Sequence, residues 1–171
     1  MKHLILSMLV IVVALFSCSD DDNDWRNEID RADYLHRSVK QVTDVIVHDI
    51  FSPPVASRIY TYMSVAGYEA AIHNDNKYVT LAGQLNGLEP VPQPDPAQEY
   101  SFQLAAVHAM LRVGRTLVFS EDKMDAFYDK LMADVKESGI PDDVYERSIA
   151  YGTQVADHVI AWSGKDNYKQ S

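Results

Sequence analysis

Cysteine is almost missing from this 171-residue sequence, where Cys18 stands alone. One thiol cannot close an internal disulfide, so a bridged framework is excluded, as is a metal-type cysteine pair. Positive charge is also scarce. The 15 Lys and Arg are outnumbered by 25 Asp and Glu, giving a formal net charge of −10, and removal of residues 1–17 takes away one more positive charge, Lys2, to leave −11. A chain this acidic has no basic patch with which to displace counterions from phosphates, which excludes nucleic acid as a partner. No Gly-rich phosphate loop and no nucleophile elbow occurs. Strand patterning and internal repeats are absent as well. The length fits one domain at most.

What is present begins with an address. Residues 1–17 read as a lipoprotein signal peptide: Lys2 supplies a positive start, and residues 4–16 are apolar except for Ser7. That run is too short to span a bilayer and the right size for a secretory segment. It ends in Leu15-Phe16-Ser17-Cys18, which resembles a bacterial lipobox, with Phe16 bulkier than the usual residue. Cys18 is therefore the expected lipid-attachment residue, holding a soluble domain at a membrane surface through its lipid anchor. Residues 18–24, with Asp20, Asp21 and Asp22, form an acidic tether. The tether resembles the export tag that some Gram-negative bacteria place after a lipidated cysteine. The expected location is the outer membrane, facing the periplasm or the cell surface.

Residues 25–171 form the helical domain. The class is all-α, a bundle of about five helices. Its organising stretch is residues 42–73. Val42, Val45, Ile46 and Ile50 recur at helical spacing, then Ser52 offers an N-cap and Pro53 suits the first helical position. Proline also pushes its predecessor out of the α region, so one helix stops near Phe51 and the next runs through Val55, Ile59, Met63 and Ala70. The segment before, residues 24–37, is expected to be helical and to feed into the first core helix. Residues 74–96, with prolines 90, 92, 94 and 96, cannot continue a helix. A third helix is predicted from Ala97 to Phe119, apolar nearly all round between Leu104 and Val113. A helix buried on every side needs more neighbours than four short helices comfortably supply, so it is expected to be covered by something outside this chain. A fourth helix starts at Ser120, and a fifth carries Val144, Val155 and Val159 on one side.

Across the corner lies the most specific run. The residues HDIFSPP at 48–54, within the longer stretch 43–60, resemble the N-terminal region of secreted vanadium-dependent haloperoxidase-like proteins of the type 2 phosphatidic acid phosphatase superfamily. PDPAQEY at 94–100 and WSGKDNY at 162–168 are similar to later landmarks of the same proteins. The resemblance implies a helical bundle that is an incomplete part of a larger enzyme fold. For the full-length family member it implies vanadate as cofactor, or phosphate as substrate, held between Lys, Arg and His side chains. The family's anion-binding motifs are a Lys with a downstream Arg-Pro, a Pro-Ser-Gly-His segment, and a Ser-Arg followed by a His. None occurs here: no Arg precedes Pro, no Gly precedes His, and Ser57-Arg58 is followed at the required distance by Ser64. The resemblance therefore carries over no catalytic residue and no cofactor to this chain, which is expected to be inactive alone and to pack against a missing C-terminal half.

Other constellations have plainer readings. Asp44/His48 and Glu69/His73 are acid-to-His pairs four apart, for which intrahelical hydrogen bonding is expected rather than a metal site, since the Glu-x-x-His pattern of a di-metal bundle is absent. His48, Asp49 and Arg58 are expected to form a structural polar network at the corner. His108 and His158, single histidines on apolar faces, read as structural. An alternative function is a non-enzymatic helical surface lipoprotein that docks a protein partner through its apolar helix.

Overall fold

Each helix begins and ends where side chains or prolines dictate. In the computed structural model, which describes residues 24–75, 77–166 and 168, Asp24 accepts a hydrogen bond from the Arg26 amide and so caps α1, Trp25–Ile29. The predicted continuous helix over residues 24–37 is broken at residues 30–32, and α2 runs Asp33–His48. Its buried stripe is Ser38, Val42, Val45 and Ile46. Ser52 and Pro53 then open α3, Pro53–Ala71, which continues as a 3-10 turn, Ile72–Asn74. Ser52 occupies the cap position without a side-chain cap bond, so the fixed φ of proline carries that helix start.

The third long helix, α4, is Phe102–Leu117 and starts later than its composition suggests. Asp95 accepts the amide of Ala97 in a local turn, and Ser101 caps the helix by accepting from the Leu104 amide. Beyond it lie α5, Glu121–Glu137, and α6, Asp142–Lys165. Among the described residues no strand is present. The five long helices are those expected.

α4 is the axis of the bundle. It packs most extensively on α3 and α6, with α2 and α5 on its remaining sides. Leu104, Ala105, Ala109, Leu111 and Val113 are all sealed from solvent. The expectation that this helix needs cover from outside the chain is therefore corrected. The chain's own helices enclose it, and the long connection adds the buried Leu88 and Val91 to the same core. What remains open is a shallow apolar groove between α2, α3 and α4, lined by Leu35, Val39, Tyr68 and Met110.

Two glycines make such close packing feasible. At Gly67 on α3 a Cβ would sit 2.5 Å from the Met110 side chain, and at Gly152 on α6 it would sit 2.6 Å from the carbonyl oxygen of Ala105. The first neighbour is a flexible side chain and the second is helix backbone. Gly152→Ala is accordingly expected to push α6 off α4 and to cost about 1–3 kcal/mol, the range for overpacking. Urea denaturation of the two proteins checks this.

Candidate functional site

The corner between α2 and α3 is closed by a pair of backbone bonds. The Ile50 amide donates to Val47 O and the Phe51 amide to Ile46 O, both at 3.2 Å, which is the Schellman pattern for a helix C-terminus. The position after the cap in that pattern is left-handed and usually glycine. Here it is Ile50, at φ 58°. For an L-residue this conformation costs roughly 1–2 kcal/mol, and a β-branched one is an outlier.

Asp49, the cap residue itself, ties the corner to the α4–α5 turn. Its carboxylate accepts from the amides of Phe119 at 2.8 Å and Ser120 at 3.0 Å, and also from the Ser120 hydroxyl. His48 Nδ1 lies 3.2 Å from both the Asp49 carboxylate and Ser120 Oγ. The Asp49 side chain is only 4% exposed. Burial alone would raise its carboxyl, but the hydrogen bonds from Ser120, His48 and Phe119 outweigh it and hold it at about 2.

Of the three residues expected to share this network, His48 and Asp49 meet and Arg58 does not. One turn into α3, Arg58 points to the other end of the chain. Its guanidinium donates to the carbonyl oxygen of Asp166 at 2.7 Å and to the Asp166 carboxylate at 3.1 Å. The Tyr62 hydroxyl donates to that same carboxylate, and Arg58 lies over the ring of Tyr168 at 5.1 Å. Tyr62 also meets Trp162 and Tyr168 edge-on. The stretch 162–168 is thus a latch onto α3, a role its sequence signalled only as a landmark. Cys18 lies outside the described residues.

The acid-to-His pairs do not bond internally. Asp44 pairs with Lys40 instead. Glu69, 1% exposed, accepts from the Thr80 hydroxyl at 2.8 Å and the Leu81 amide at 2.6 Å, pinning the long connection to α3. His73 lies among the rings of Phe102 and Tyr151. His158 donates to the carbonyl oxygen of Glu89.

His108 is the most enclosed histidine that the structure describes. It borders a cavity of about 220 Å³ lined also by Leu111, Arg112, Arg115, Met124, Asp125 and Tyr128. Its Nε2 lies 2.8 Å from Thr153 Oγ1 and its Nδ1 lies 2.7 Å from the Tyr128 hydroxyl. The Thr153 hydroxyl gives its only proton to Ile149 O. Nε2 must then be the donor to Thr153, leaving Nδ1 to accept from Tyr128. Burial, reinforced by nearby Arg112, pushes the His108 imidazole down to about 4, and burial raises the Tyr128 hydroxyl. The site is neutral and satisfied.

This architecture matches that of a known enzyme. A solved bacterial vanadium-dependent iodoperoxidase aligns over 81% of the chain at 45% identity, with a TM-score of 0.75. This chain belongs to the vanadium haloperoxidase-like family. It spans about a third of the length of that relative, 33%. Protein-family models and curated proteins give no match.

Vanadate is a multiply charged oxyanion, and a haloperoxidase-like site for it needs several uncommitted cations. The arginines and the cavity beside His108 do not fit it. Every arginine already holds a carboxylate, Arg112 with Asp157 and Arg115 with Glu121 and Asp125 among them. In the cavity beside His108 the Asp125 carboxylate would repel an anion, and both ring nitrogens of His108 are engaged. Among the described residues no cluster of three metal-ligating side chains occurs.

Acid should unfold the protein in two steps. His108 refuses a proton that the unfolded imidazole accepts, so its contribution is complete above pH 6.5 and is lost as the pH falls from 6.5 toward 4, about 3 kcal/mol in all. Asp49 stabilises the fold above pH 3.8, and about 2 kcal/mol more is lost as the pH drops through 3.8 toward 2. Chemical denaturation across this range checks both steps, and the upper one should shrink in His108→Gln to the part that His73, also lowered by burial, contributes.

Proposed function

We propose that this chain is the N-terminal helical part of a secreted haloperoxidase-like or acid-phosphatase-like lipoprotein, and that alone it is a scaffold without turnover. The observation that carries this reading is a pairing of two facts. The chain shares 45% identity with an iodoperoxidase of which it spans a third, and its own arginines are all committed to carboxylates. The oxyanion chemistry of the whole protein then belongs to residues beyond this stretch, which would bring their own Lys, Arg and His. Halide oxidation is the activity we assign to that whole, following the relative.

Lipid attachment at Cys18 completes the reading, on the strength of the signal-like residues 1–17 and the acidic tether after them. Among the described residues no helix is long and apolar enough to cross a membrane. The lipid chain at Cys18 is the anchor proposed, on residues 1–24 alone.

Three measurements test this. Purified residues 18–171, given orthovanadate, iodide and peroxide, should oxidise no more iodide than vanadate alone does. The ⁵¹V NMR signal of free vanadate should stay sharp, whereas saturable binding would overturn the scaffold reading. In cells fed labelled palmitate, the protein should take up label and Cys18→Ser should not. An unlabelled wild-type protein would remove the lipoprotein part.

A further inference from the structure

The most exposed apolar side chains of the described residues gather at one place. Val47 is 71% exposed, Ile50 88% and Phe119 78%. Val47 and Ile50 are joined by the backbone bond that closes the corner. Phe119 stacks on Phe51 at 4.7 Å, and its amide is held by Asp49. The patch is therefore built by the corner and its polar hub, and is no random scatter of surface residues.

Ile50 makes the point sharper. It spends conformational energy by standing left-handed where glycine would be relaxed, and an 88% exposed side chain recovers almost nothing by burial. An isolated domain gains from replacing it. A domain that presents Ile50 to a partner does not.

We propose that Val47, Ile50 and Phe119 form the face on which the remaining part of the haloperoxidase-like fold packs, with Ile50 held left-handed to reach it. This rests on the scaffold reading above. The occupant is an apolar helical surface of that remainder, because the relative carries about twice as much chain again outside the matched 33% and that chain must meet this third somewhere. A bilayer is a poorer occupant, since a net charge of −10 is repelled by anionic lipid. A face of this kind excludes water around a few apolar anchors, as interface cores do.

The test compares two contexts. One is the full chain alone. The other is a chimera in which its residues replace the matched third of the bacterial iodoperoxidase. Ile50→Gly should raise the Tm of the chain alone by about 2 °C and lower that of the chimera by about 3 °C. Ile50→Asn, which also tolerates the left-handed region, should behave in the same way. Val47→Gln and Phe119→Gln should cost little alone and several degrees in the chimera. If the chimera folds but Ile50→Gly raises the Tm in both contexts, the corner is not the interface, while the scaffold reading stands. A chimera that fails to fold, beside a parent enzyme that folds, would overturn the scaffold reading and this interface with it. Dimers of the isolated chain that Phe119→Gln dissolves would assign the face to a second copy, and binding to phosphatidylglycerol vesicles that the same change abolishes would assign it to a membrane. Either result overturns the proposal.

Discussion

The enclosure of α4 is the constraint to which everything else answers. A helix with Leu104, Ala105, Ala109, Leu111 and Val113 all sealed needs neighbours on every side, and a domain of this size has few to give. The solution combines close approach with cover. Gly67 and Gly152 let α3 and α6 come near enough for helix backbone and side chains to touch, and the long connection is tied to those two helices and adds Leu88 and Val91 to the core. Buried Glu69 holds that connection in place through Thr80 and Leu81, so a carboxylate inside the bundle serves to seal an apolar core.

With the axis satisfied from within, the polar groups are left to fix ends and corners. Asp49 accepts the two amides of the α4–α5 turn just ahead of α5 and so fixes the approach to that helix from across the corner. Arg58 and Tyr62 share the Asp166 carboxylate and hold the end of α6 against α3. His108 is likewise spent on structure, its two nitrogens committed to Tyr128 and Thr153. Every arginine of the chain and the buried His108 are thus committed to groups of the chain itself.

Much of this was legible in the sequence, because the signals were local. Pro53 and Pro54 marked the corner, the prolines of residues 90–96 marked the connection, and apolar spacing gave five long helices. What escaped was non-local. The spacing of Glu69 and His73 suggested a bond within one helix, but Glu69 turns to a connection eleven residues on. Arg58 sits close enough in sequence to Asp49 to suggest a shared network, yet its partner is 108 residues away. The apolar circumference of α4 was read correctly and its cover wrongly, since pattern shows that a helix is buried and not by what. The spacing of Ile50 puts it on the apolar stripe of α2, but it stands beyond the helix end at φ 58° and 88% exposed, a left-handed position where sequence rules argue against a β-branched residue.

The latch at residues 162–168 has a consequence for the order in which this fold assembles. Its bonds join Arg58 and Tyr62 to Asp166 across 108 and 104 residues, and such long loops close late, after local helices have formed. During synthesis the α2–α3 corner therefore waits, with one face bare, until a segment 108 residues further along has emerged to lock it down.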